Sequence, residues 1–252
     1  MDQPNPIAVT WSILRSLLST AWPRPEGRSD VDHSGFAPVL SALSQGGLAE
    51  AVRHSDELDR YVKLLESQDP DELSRDGALA YWLNLYNAGA VQVASRAWLA
   101  GEDSVLRLPG AFRRRVMTVG GESLSLDDIE HGKLRRFGDP RIHGALVCGS
   151  LSCPTLRAEP YTGAKLNSQL NDQMRVFLAA GGAVADGAGV SLSRVFLWFG
   201  SDFARPHRMP TFVPATKRAV LDSVREWLPD DLKDATSVGF QSYDWGLACS
   251  VG

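Results

Sequence analysis

The stretch Ala78-Leu79-Ala80-Tyr81-Trp82-Leu83-Asn84-Leu85-Tyr86-Asn87-Ala88-Gly89-Ala90-Val91-Gln92-Val93-Ala94-Ser95-Arg96-Ala97-Trp98-Leu99 is the longest uninterrupted helical pattern in the chain. It is apolar around most of its circumference. A helix with no polar face has to be covered on all sides, so this one belongs in the middle of a domain. Asn84 and Asn87 interrupt it. Three apart on a helix, their amides share a face, and a buried amide needs partners, which makes the pair a candidate binding position.

Toward the N-terminus, Trp11, Leu14, Leu17 and Leu18 recur at helical spacing until Pro23-Arg24-Pro25-Glu26-Gly27. Val39, Leu40 and Leu43 predict a second helix that stops at Gly46-Gly47. Leu58, Val62 and Leu65 predict a third, ending before Asp69-Pro70. Residues 1–70 are therefore expected to form a helical extension, and residues 71–252 an α+β core domain.

Toward the C-terminus the pattern turns strand-rich. Val116 to Val119, Gly120-Gly121 and Glu122 to Leu124 read as a hairpin with a glycine turn. Ser125-Leu126-Asp127-Asp128 resembles an acidic capping box opening a helix through Arg135. Ile142 to Val147 reads as a strand, Leu166 to Leu178 as a helix, and Val190 to Leu197 as a strand. Phe212 to Leu228 reads as a helix with Pro214 in its first turn, and Ser237 to Leu247 as a last strand. With a hairpin and no strand–helix–strand rhythm, the expected class is α+β: a small, mostly antiparallel sheet packed against the long buried helix and flanking helices.

Composition narrows the function. The chain has 252 residues, 44% of them hydrophobic, with 26 Lys and Arg against 30 Asp and Glu, a formal charge of −4. A mildly acidic chain lacks the electrostatic footprint of a nucleic-acid binder. Three cysteines do not make a disulfide scaffold. The start lacks the basic region and cleavage site of an export signal, and no run approaches the ~20 apolar residues that span a bilayer. The expectation is a cytoplasmic protein with free thiols, a small-molecule or peptide substrate, no cofactor, and neither nucleic acid nor membrane as partner.

Reactive side chains concentrate between Glu130 and Arg157: Glu130, His131, Arg135, His143, Cys148, Cys153 and Arg157. Helical spacing puts Glu130 on an apolar stripe, where a carboxylate needs a partner; Arg135, Arg141 and Arg157 are candidates for that pairing, and Arg135 and Arg157 for binding. On a regular strand His143 and Cys148 would lie ~16 Å apart on opposite faces, so they do not pair directly. Gly149-Ser150-Leu151-Ser152 can turn the chain back, and Pro154 suits the first turn of a helix. Cys153 would then stand at a helix N-terminus, which lowers a thiol pKa. The expected catalytic unit is Cys153 as nucleophile, His143 as acid/base and Glu130 as its orienter, with Cys148 and His131 in reserve. The Cys148/Cys153 spacing does not match a structural zinc pair, and no metal is expected. Phe196 to Phe203 and Tyr243-Asp244-Trp245 read as aromatic core packing, each with an Asp that would want a donor if buried.

Together, Ala80 to Ala88, Leu126 to Arg135, Asp139 to Gly149, Ser152-Cys153-Pro154, Phe196 to Phe203 and Tyr243-Asp244-Trp245 resemble the family catalogued as domain of unknown function 547, over roughly residues 75–248. The resemblance carries Asn84, Asn87, Glu130, His131, His143 and Cys148 onto the family's pattern. In plant members the position matching Cys153 is often Ser, which favours Cys148 where helix-terminus chemistry favours Cys153. The functional expectation is a cysteine-dependent hydrolase or acyltransferase acting on an amide or thioester through an acyl-enzyme, its oxyanion held by backbone N–H groups between Gly149 and Cys153. The alternative is a non-catalytic ligand- or protein-binding module whose Glu/His/Cys cluster is a structural network.

Overall fold

The computed structural model describes residues 6–252. The helix read first from the sequence is α4 (Arg75–Leu99), preceded by α1 (Pro6–Ser19), α2 (Ala37–Ala51) and α3 (Ser55–Glu66). Ser74 caps α4 by accepting the Gly77 N–H at 3.0 Å, and nearly every side chain from Ala78 to Ala94 is buried. Phe36 and Leu40 near or on α2, and Leu58 and Leu65 on α3, share one hydrophobic core with it.

After α4 come the hairpin β1 (Met117–Val119) and β2 (Glu122–Leu124), then α5 (Leu126–Gly132). Gly120 and Gly121 both have positive φ, 56° and 79°, as a two-residue turn matched to strand twist requires. The capping box at α5 forms in both directions between Ser125 and Asp128. A short α6 (Ile142–Ala145) and α7 (Leu166–Phe177) follow. Next are β3 (Ala183–Asp186), β4 (Gly189–Leu192), α8 (Val195–Trp198), α9 (Gly200–Ala204), α10 (Lys217–Val224) and β5 (Val238–Phe240).

The α+β class holds, with two small sheets where one was expected. β1 and β2 form an antiparallel pair, Met117 opposite Leu124. β4 pairs antiparallel with β3 and parallel with β5. The three-stranded sheet packs with α7 to α10 in a second core, built on Met174, Phe196, Leu221 and Trp227 rather than on α4.

Several expected boundaries shift. Ile142 to Val147 is not a strand: Asp139 accepts the Arg141 N–H at 3.0 Å and starts a turn that becomes α6, and only Leu146 onward is extended. The strand from Val190 ends at Leu192, because Ser193 accepts the Val195 N–H at 3.4 Å and opens α8. Pro214 lies outside α10, which begins at Lys217 under a Thr216 cap. α2 runs through Gly46-Gly47 with a kink at Gly47, and the last strand shrinks to three residues. Among the described residues no helix is long and apolar enough to cross a membrane.

Candidate functional site

The site lies at the seam of the two cores and is placed by α4. Both Asn87 amide atoms hold backbone: Nδ2–H donates to the Ala145 carbonyl at 3.0 Å, and Oδ1 accepts the Val147 N–H at 3.1 Å. Asn84 does the same to Tyr161, at 2.8 and 3.0 Å. Both side chains are buried and satisfied by the chain itself, so they position backbone instead of facing a ligand. Asn87 fixes the residue immediately before Cys148.

From there the chain turns at Gly149, whose φ of 73° and close approach to Ala94 on α4 exclude a side chain. The loop then docks on the C-terminal segment. The N–H groups of Leu151 and Ser152 donate to the carbonyls of Gly246 and Asp244, at 2.8 and 3.2 Å. The Cys153 N–H donates to Ser150 O at 3.1 Å. This docking carries Tyr243 to the thiols.

Cys153 is not at a helix N-terminus; it sits in a turn. Its sulfur accepts the Cys148 N–H at 2.8 Å and the Tyr243 hydroxyl at 3.4 Å. The Cys148 sulfur lies 3.0 Å from Ser150 Oγ and 3.1 Å from Tyr243 Oη. Burial pushes the Cys153 thiol up, but hydrogen bonds from the Cys148 thiol, Tyr243 and the Cys148 N–H outweigh it and bring the group down to about 7. Cys148 moves the other way, well up, through its hydrogen bond to Cys153 and then burial. Within this pair the negative charge belongs on Cys153.

The imidazole and carboxylate are not arranged as expected. His143 is on α6, and its Nε2–H donates to Asp202 at 3.0 Å, not to Glu130. Asp202 on α9 is fully buried and also accepts two bonds from Arg135, at 2.7 and 3.0 Å. The His143 ring stacks on Phe199 with centroids 3.9 Å apart. Burial pushes the His143 pKa down against the pull of Asp202, leaving a neutral ring. No imidazole hydrogen-bonds either thiol among the described residues.

Glu130 instead meets Tyr86, whose hydroxyl donates to it at 3.2 Å. Burial, aided by the Asp127 charge and opposed by Arg135, raises its pKa to about 8, with Cys153 contributing to the rise. His131, pushed well down by burial and by Arg135, is neutral. Its Nδ1 is buried without a hydrogen-bond partner, 3.9 Å from Glu130. Arg157 lies elsewhere, paired with Asp172 at 2.7 Å. The backbone N–H groups expected to hold an oxyanion at Leu151, Ser152 and Cys153 are engaged within the fold, whereas Trp245 Nε1, on a ring 4.6 Å from Tyr243, is buried and unpaired. Beside this cluster is a cavity of about 350 Å³ lined by Phe196, Trp198, Phe199, Phe212 and Phe240, with Arg135 at its wall. Among the described residues no three His, Cys, Asp or Glu side chains converge to hold a metal ion.

Asp202, Tyr243, Tyr86 and Trp245 are the participants that the sequence did not single out as site residues. The one local signal was an acid beside aromatic rings, Asp202 next to Phe203 and Asp244 between Tyr243 and Trp245. Fold and site together define an α+β protein with two half-buried, hydrogen-bonded thiols and, on α5, a carboxyl whose pKa is raised to about 8. Residues 70–178 match the family described as "Protein of unknown function, DUF547". That match bears out the resemblance over the Asn pair, the Glu130–His131 helix, His143 and both thiols; the Phe196 and Tyr243 motifs lie beyond the matched residues. No curated protein and no solved structure matches the chain.

Proposed function

We propose that the protein is a cysteine-dependent acyl-transfer enzyme, a hydrolase or acyltransferase acting on an amide or thioester, with Cys153 as nucleophile. The observation that carries this reading is the donor shell of the Cys153 sulfur, a backbone N–H at 2.8 Å and the Tyr243 hydroxyl at 3.4 Å, within electrostatic reach of a Glu130 carboxyl that keeps its proton to about 8. A thiolate nucleophile and an acid for the leaving group are the two halves of acyl transfer.

In the proposed reaction the Cys153 thiolate adds to the acyl carbon. The unpaired Trp245 N–H is a side-chain donor available to the oxyanion. Collapse of the intermediate expels the amine or thiolate, which takes the Glu130 proton. Water or an acceptor then attacks the thioester, returns a proton to ionised Glu130 and frees Cys153. His131 packs its neutral ring 3.9 Å from Glu130 and helps to keep water from the carboxyl. His143, Arg135 and Asp202 form the brace beneath.

Intact-mass analysis after incubation with p-nitrophenyl acetate tests this. The expected result is one acetyl group on Cys153, retained in Cys148→Ala and lost in Cys153→Ala. Its rate of formation should rise as Cys153 ionises through about 7 and then level off, since nitrophenolate leaves without the Glu130 proton that an amine or alkyl thiolate needs. An adduct confined to Cys148, or none although Cys153 alkylates readily, would sink the proposal.

A further inference from the structure

The first helix is amphipathic the wrong way round. α1 turns Ser12, Ser16 and Thr20, just beyond its end, into the protein, where all three are buried. Ser12 hydrogen-bonds Asp127, Ser16 donates to Asp128 at 2.8 Å, and Thr20 Oγ1 donates to the Ser16 carbonyl at 2.6 Å. On α5, Gly132 allows the close approach, since a Cβ there would meet Thr20 Oγ1 at 2.2 Å. Arg136 seals the C-terminal end by donating to Leu17 O at 2.6 Å and Thr20 O at 3.0 Å.

The opposite face carries large apolar side chains. Trp11 is 69% exposed, Leu18 87% and Trp22 57%, with Leu14 between them at 37%. Trp11, Leu14 and Leu18 follow three- and four-residue steps, the spacing of one helix face, and Ile7 extends the line. A contiguous apolar stripe held outward by a polar inner face marks an interaction surface.

Arginines surround the stripe. Arg15 is on α1. Arg115 ties the neighbouring loop to it through Ser19 at 2.8 Å, and Arg113 and Arg114 precede it, exposed. Arg136 lies over the Trp22 ring at 4.4 Å. The acids packed against the helix face inward: Ser12 holds Asp127, Ser16 holds Asp128, Arg15 and Arg115 pair with Asp128 at 3.8 and 2.9 Å, and Glu122 is paired with Lys133. The outward positive charge beside the stripe is therefore carried by the exposed Arg113 and Arg114, with Arg15 and Arg115 balanced by Asp128.

We propose that α1 docks the protein on an anionic membrane surface, lying flat with Trp11, Leu14 and Leu18 among the acyl chains and the arginines against lipid headgroups. A projecting stripe of Trp and Leu bordered by arginine is the composition of an interfacial helix. A symmetric dimer through the same stripe would bring each arginine ring against its copy. The absence of a spanning helix, which had led to the expectation of no membrane partner, does not bear on surface docking.

Sedimentation of the full chain with phosphatidylcholine vesicles, and with vesicles of phosphatidylcholine mixed with phosphatidylserine, tests this. Binding is expected only to the mixed vesicles, to weaken at least several-fold as salt rises, and to be lost in Leu18→Asp and Trp11→Asp. Arg113→Gln with Arg114→Gln should weaken it without changing the circular dichroism melt. Since Leu18 is solvent-exposed, Leu18→Asp should melt like wild type, so lost binding is not lost folding. Equal binding to both vesicle types overturns the electrostatic half of the proposal and so the proposal itself. A dimer by light scattering that Leu18→Asp dissolves would assign the stripe to a second copy. A monomer that binds neither vesicle leaves the stripe to a protein partner.

Discussion

At the scale of single residues, Glu130 binds its proton more tightly in the fold than in the unfolded chain. Burial raises its pKa from 4.5 to about 8, and neither Arg135 nor the Tyr86 hydroxyl offsets that. The sign follows from linkage. Above 4.5 the unfolded chain gains by ionising while the folded one does not, so stability is withdrawn as pH rises toward 8. Glu130→Gln keeps the shape and removes the proton. It should be more stable than wild type at pH 7 by on the order of 3 kcal/mol, with the gap closing as pH falls to 4.5. Urea unfolding at the two pH values checks this, and a variant equal to or weaker than wild type at pH 7 would refute the buried-acid assignment. A residue that weakens the fold in its working state is a mark of function.

At the scale of elements, α4 connects sequence to site. Replacing Asn87 with Leu would leave the Ala145 carbonyl and Val147 N–H unpaired in the interior, at a cost of about 2–4 kcal/mol. It would also loosen the loop that carries Cys148 and Cys153. Asn84→Leu frees Tyr161 backbone instead and should cost about the same while leaving the thiols in place. The expected outcome is equal destabilisation by urea but slower iodoacetamide labelling of Cys153 only in Asn87→Leu; equal labelling in both would detach the loop from α4. What was legible beforehand was local. The all-apolar circumference of α4, the two-glycine hairpin turn and the Ser125 box each specify structure within a few residues. What was not legible depended on distant partners. α6 is helical because of Asp139 and is held by Asn87, 58 residues from Ala145. His143 takes its partner from Asp202, 59 residues along, so no spacing rule along the strand once expected there could have found it. The apolar periodicity of α1 correctly predicted a helix and implied the wrong face, because its inner contacts are serine hydroxyls reaching Asp127 and Asp128.

At the scale of the whole molecule, these buried groups act on stability together. His33, beside Tyr61 at 2.7 Å, has its pKa lowered by burial to about 4, and burial lowers His131 and His143 as well. Each takes up a proton on unfolding once pH falls below about 6.5, so each makes the fold less stable in acid. Burial also raises the carboxyls of Asp127, to about 6, and Glu130, and these act in the opposite sense over the same range. Asp202, whose pKa is lowered by His143 and Arg135 against burial, contributes stability that is complete above about pH 4.5 and adds no slope there. Between about pH 4.5 and 6 the lowered rings of His33, His131 and His143 act against the raised carboxyls of Asp127 and Glu130, and the loss of His33 should tilt the stability curve measurably. His33→Gln preserves a partner for the Tyr61 hydroxyl and removes one titrating ring. In that variant one proton uptake on unfolding is gone, and stability from urea unfolding should rise less with pH, or fall more, than in wild type across the same interval. If its slope stays at the wild-type value, His33 is not a buried neutral histidine, and the opposition of rings and carboxyls does not set the pH dependence of this fold.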